Sequence, residues 1–146
     1  MTNRVDSIHR RLLSLVEQNL GRTTTNTQKL SELCSRFFGE TFAGVFPSDM
    51  IPQMNNNKRY AIINTDKSYQ TGEHWLGLYF ISREKGILVY DSFGRKTRTI
   101  LPSLLQTSID TEYDSEQEIS ESNCGQRCIA FLLLCKYWDY KLAQKL

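Results

Sequence analysis

A thiol becomes a hydrolytic catalyst when an imidazole can take its proton and a carboxylate can orient that imidazole. This chain of 146 residues offers one such set in a usable order. Cys124 opens an apolar segment that reads as a helix, His74 opens a strand, and Asp91 ends the strand expected to pair with it. A thiol at a helix N-terminus faces unpaired backbone N–H groups and the positive end of the macrodipole, and both favour the nucleophilic thiolate. Gly125, lacking a side chain, is expected to let a substrate carbonyl approach Cys124 and its neighbouring N–H groups, one half of an oxyanion hole. The side-chain amide of Gln117 would supply the other half.

Each residue also has an ordinary explanation. Asp91 can simply start the turn Ser92-Phe93-Gly94, and Gln117 lies in a polar stretch where solvation is the default. A free cysteine such as Cys124 is usually a small buried apolar group, and His74 beside Trp75 can be a satisfied structural histidine. The set is more specific than its members, because His9 and His74 are the only histidines. His9 falls beside Arg10 and Arg11 on a helix face where solvent exposure is expected. Cys128 and Cys135 follow Cys124 along one face of the same helix and read as packing residues. A zinc site would need further ligands at credible spacing, so no metal is expected.

The elements that would position this set follow from periodicity and punctuation. Residues 4–20 place Ile8, Leu12, Leu15 and Val16 on one helical stripe that Gly21 ends. Thr27 is the expected N-cap of a second helix lined by Leu30, Leu33, Cys34 and Phe37 and closed by Gly39. The Gly, Pro and Asn content of residues 42–57 predicts irregular structure. Residues 60–64, 74–81 and 86–91 read as strands, the last two joined by the turn Ser82-Arg83-Glu84-Lys85. Residues 102–105 suggest a helical turn, and residues 124–142 a buried helix. The result is an α+β chain, read as one domain over 1–146 with a helical segment 4–38 and a core 42–142.

Composition narrows the function classes. The net charge of +2 is too mild for a wholly basic nucleic-acid groove, and the acidic group from Asp110 to Glu121 would repel phosphate. Arg95, Lys96 and Arg98 form a local basic group able to attract it. Four cysteines do not make a disulfide scaffold, the N-terminal residues show no signal-peptide core, and the longest apolar run, Ile129 to Cys135, is too short for a membrane span. An intracellular, reducing setting with free thiols and no membrane partner is expected.

Residues 61–94 resemble the active-site region of the adenain-like family of adenovirus maturation cysteine proteases. The shared features are Asn64-Thr65, Gly72-Glu73-His74-Trp75, a hairpin, and Asp91-Ser92-Phe93-Gly94. Gln117 then precedes Asn123-Cys124-Gly125 at the family's interval, and the upstream FAGVFPSDMIP is similar as well. The resemblance spans roughly residues 42–135, and the order His, acid, Gln, Cys-Gly is shared with SUMO- and ubiquitin-like-specific proteases. It implies a papain-like or adenain-like fold with a central nucleophile helix on a small mixed sheet. It also implies Cys124 as nucleophile, His74 as base, Asp91 as its orienting acid in place of the family's frequent glutamate, and Gln117 as oxyanion donor. Trp75, beside the base, would line the substrate groove and shield the ion pair from water, with packing in the core as the alternative reading.

The implied function is a viral endopeptidase of the virion and infected cell that cuts capsid or core precursors after glycine in hydrophobic-x-Gly-x sites. No cofactor is required for that chemistry. The family's activating peptide and DNA are implied by resemblance, but no cysteine lies between Cys34 and Cys124 to anchor the peptide and the net charge gives DNA little support. The chain is expected to stop short of the family's further helical subdomain, with residues 4–38 covering that part of the core. The alternatives are a ubiquitin- or SUMO-deconjugating protease and a catalytically silent adaptor with the same fold.

Overall fold

The computed structural model describes residues 4–23, 25–65, 74–112 and 122–146. Five strands, β1 (Phe42–Pro47), β2 (Tyr60–Asn64), β3 (Trp75–Ser82), β4 (Gly86–Tyr90) and β5 (Ser108–Asp110), lie side by side in chain order. The middle three form an antiparallel meander, and β1 and β5 flank it through parallel pairings with β2 and β4. The sheet is therefore mixed, and the architecture is α+β.

Alternation along the strands builds two cores. Tyr60, Ile62, Trp75, Leu88 and Tyr90 face one side, where they meet helices α1 (Arg4–Leu20), α2 (Thr27–Phe38) and α4 (Cys124–Tyr137). Ala61, Ile63, Leu76, Leu78, Phe80, Ile87 and Val89 face the other. The two parallel pairings need crossover connections, and both run over this second face. One carries Met54, and the other carries the short helix α3 (Thr97–Ile100) and Leu101. Gln106 ties them together, accepting from the Met54 N–H at 2.8 Å and donating to its carbonyl at 3.1 Å.

Because α4 lies between the sheet and α1, its side chains are buried all round, from Cys124 to Cys135 with few exceptions. Gly77 makes the approach of α4 to β3 close. A Cβ there would sit 2.9 Å from Phe131 Cδ2. Gly77→Ala is expected to cost about 1–3 kcal/mol through overpacking, read as a lower denaturation midpoint with an unchanged slope.

Several local readings are corrected. The first helix buries Val5, His9, Leu13 and Val16, leaving Leu15 exposed and Ile8 and Leu12 half-buried. The second helix is capped by Asn26, whose side chain accepts from the Lys29 N–H, so Thr27 is its first residue. Part of the expected irregular stretch is β1, an edge strand with a register shift between Phe42 and Gly44 that its glycine and proline disguise. The helical turn falls at α3 rather than at residues 102–105, β5 was not foreseen, and the long helix ends at Tyr137 with a separate α5 (Tyr140–Ala143) after it. Among the described residues no helix is long and apolar enough to cross a membrane.

His9 is the largest departure. It is 2% exposed rather than solvated, it donates from Nε2 to the Arg127 carbonyl at 3.1 Å, and its ring meets the edge of Tyr90. Burial lowers its pKa to about 4 from an ordinary 6.5, the bond to Arg127 only partly opposing this. A folded-state value below the unfolded one means the unfolded chain binds the proton first, so stability falls as pH drops from 6.5 toward 4. The expected loss is on the order of 3 kcal/mol. His9→Gln keeps a donor but no titration, and denaturation measured against pH should show a flatter acid slope. Equal slopes would contradict the assignment.

Candidate active site

The central helix begins at Cys124, and the side chain of Asn123, at the N-cap position, makes no capping hydrogen bond but accepts from Arg127 Nε at 3.1 Å. The N-cap side chain thus does not cover the first-turn N–H groups, at the end where the helix field favours an anion. This turn is held from outside by the N-terminal segment. His9 grips the Arg127 carbonyl, and the buried Gln126 donates to the carbonyls of Gly21 and Thr23 at 3.1 and 2.6 Å.

His74 immediately precedes β3, and Asp91 immediately follows β4. The antiparallel register pairs Gly77 with Tyr90, which brings the two residues to the same end of the sheet. His74 Nε2 donates to Asp91 Oδ1 at 2.6 Å, and both side chains are nearly buried. With Nε2 occupied, Nδ1 is the nitrogen left for Cys124, whose thiol lies in hydrogen-bond reach of the ring. Burial by itself would lower the His74 pKa. The hydrogen bonds and charges of Asp91 and Cys124 outweigh it and raise the imidazole above 6.5.

Asp91 is gripped on both oxygens. Oδ1 also accepts from the Phe93 N–H at 3.1 Å, and Oδ2 accepts from the Arg95 N–H at 3.1 Å and from Arg95 Nε at 2.7 Å. Burial would raise this carboxyl, but the bonds from His74, Arg95 and the Phe93 N–H bring it down to about 2. The turn closes through Gly94, whose N–H donates to the Asp91 carbonyl and whose φ of 69° suits glycine. Phe93 stacks on the His74 ring with centroids 4.6 Å apart.

The structure thus brings Cys124, His74 and Asp91 together. Gln117 lies outside the described residues, as do Gly72 and Glu73. Gly125 is buried, and the space its side chain would fill is bounded by Leu30 Cδ2 at 3.0 Å, Thr25 Cγ2 at 3.1 Å and Trp75 Cδ1 at 3.2 Å. The absent side chain therefore makes room for the α1–α2 segment rather than for substrate, and only the Gly125 backbone remains to meet an oxyanion. Trp75 is buried there, and its carbonyl accepts from Cys128 Sγ at 3.2 Å.

All four cysteines are free and buried, with burial raising the pKa values of Cys34, Cys128 and Cys135. Among the described residues no group of three or more His, Cys, Asp or Glu side chains could hold a metal ion. Arg95, expected in a local basic group, bonds Asp91 through Nε and keeps its side chain half-exposed. Sequence reasoning missed Arg95, Gln126 and His9 as parts of this site. Only the first had a local signal, an aspartate three residues before a turn glycine.

The sequence profile of the adenovirus endoprotease family matches residues 38–133, about two thirds of the chain. No curated protein matches it.

Proposed function

The chain belongs to the adenovirus endoprotease family, viral cysteine endopeptidases, and on that premise we propose that Cys124, His74 and Asp91 carry out its peptide hydrolysis. The observation that carries the reading is the 2.6 Å bond from His74 Nε2 to Asp91 Oδ1, with Cys124, a further partner of the ring, at the first residue of α4. Asp91 keeps the proton on Nε2, so Nδ1 of neutral His74 takes the proton of Cys124 Sγ. The thiolate adds to the substrate carbonyl carbon, and the resulting oxyanion is met by first-turn N–H groups of α4 and, as the family resemblance implies, by Gln117. Collapse breaks the C–N bond, and the leaving amine takes the proton from the His74 imidazolium. Water, losing a proton to His74, then cleaves the thioester and releases the acid and the thiol.

The substrates are viral capsid or core precursor polypeptides, cut after glycine in hydrophobic-x-Gly-x sites within the virion and infected cell. A nucleophile only 5% exposed favours a residue with no side chain beside the scissile bond. The test pairs hydrophobic-x-Gly-x peptides with matched peptides carrying alanine for glycine, and with a ubiquitin-like fusion ending in Gly-Gly. Cleavage after glycine in the first set alone is the expected result. Preference for the fusion would move the assignment to deconjugation, and no cleavage of any substrate would favour the silent adaptor.

A further inference from the structure

A buried carboxylate beside a catalytic imidazole faces an electrostatic difficulty. While His74 is an imidazolium, Asp91 is paired; once His74 gives up its proton, a side chain only 2% exposed would be left as a lone buried anion. We propose that Arg95 is a positioning residue that resolves this, holding Asp91 ionised and aimed at His74 while the imidazole alternates between charge states. The inference rests on the catalytic reading of Cys124 and His74 above.

The geometry supports more than a surface ion pair, which by itself would be worth little at a half-exposed arginine. Arg95 places two donors, its backbone N–H and Nε, on the same oxygen, Oδ2, and so fixes the carboxylate plane that presents Oδ1 to His74. Its guanidinium also lies 5.4 Å from the centre of the Phe93 ring, which in turn stacks on the imidazole. A single turn, Asp91 to Arg95, therefore supplies the orienting acid, a platform for the imidazole and a permanent cation. Among the described residues, the titratable groups facing this unit are His74 at the start of β3 and Cys124 and Cys128 from α4. Arg95 is the cation bonded to the carboxylate whatever the charge on His74.

The experiment compares wild type with Arg95→Ala and Arg95→Lys, using a hydrophobic-x-Gly-x peptide for turnover and iodoacetamide alkylation of Cys124 as a readout independent of the peptide. Arg95→Ala should lower kcat about tenfold with KM within twofold, and should slow alkylation by a similar factor. The acid limb of kcat/KM, which reports protonation of the His74 base, should move up by about half a pH unit, because the imidazolium is favoured once the neighbouring cation is gone. Arg95→Lys should return the acid limb, since the charge is restored, while recovering only part of kcat, since the two-donor clamp is not. An unmoved acid limb with activity within twofold would overturn the proposal. So would an activity loss that tracks a lower Tm with no change in the pH profile. Cys124→Ala and His74→Ala serve as controls for the underlying reading. If they retain turnover and His74→Ala leaves alkylation unchanged, that reading fails and the role of Arg95 with it. If they lose it and Arg95→Ala does not, only the proposal for Arg95 fails.

Discussion

Cys124→Ala should lose peptide hydrolysis by roughly 10³-fold or more and still fold. Among the described residues the sulfur is the proposed acyl carrier, because His74 is held by Asp91 and Cys124 and the carboxylate is engaged by four donors. What the substitution removes structurally is small. Cys124 lies at the first residue of α4, where the backbone is fixed by the grip of Gln126 on the Gly21 and Thr23 carbonyls and of His9 on the Arg127 carbonyl. None of those contacts involves the sulfur. Circular dichroism and Tm should therefore stay close to wild type while turnover disappears. Residual turnover well above background would require another nucleophile and would contradict the account.

The second large effect is expected at His74. His74→Ala removes both proton transfers of the proposed cycle, thiol to imidazole and imidazolium to leaving amine, and should reduce kcat by about 10²–10⁴-fold. It also leaves Asp91 with Arg95 and two backbone N–H groups but without its side-chain partner on Oδ1. The folded-state pKa of His74 is raised, so its contribution to stability is fully present below the unfolded value of 6.5 and is lost as pH rises through the folded one. The variant should accordingly lose more stability at pH 6 than at pH 9. A loss of kcat below a few-fold, measured with saturating peptide, would show that the imidazole is structural.

Much of this site was legible in the sequence because its members sit at element boundaries. Cys124 begins a run of apolar residues, and His74 and Asp91 bracket two alternating strands, so a hairpin alone puts them at one end of the sheet. The strands β2, β3 and β4 were equally plain, since residues that serve two cores read as short continuous apolar runs between polar turns. What stayed hidden depends on contacts distant along the chain. β1 and β5 are short edge strands whose identity comes from parallel pairing with a neighbour, not from their own pattern. His9 reads as exposed next to Arg10 and Arg11, yet α1 turns it toward the carbonyl of Arg127, 118 residues away. Gly125 looked like room for substrate, whereas Thr25 and Leu30, about a hundred residues earlier, occupy that space.

The central claim is that Cys124 and His74 work as a pair, and the most direct measurement is the rate of Cys124 alkylation by iodoacetamide across pH in wild type and His74→Ala. Trypsin cleavage after Arg98 and Arg127 separates Cys124 from the other three cysteines, so mass spectrometry of that peptide reports Cys124 alone. The account predicts that at pH 6 wild type reacts about tenfold faster than the variant or more, and that the two converge near pH 10, where thiols ionise without help. Superimposable curves over the whole range would contradict it.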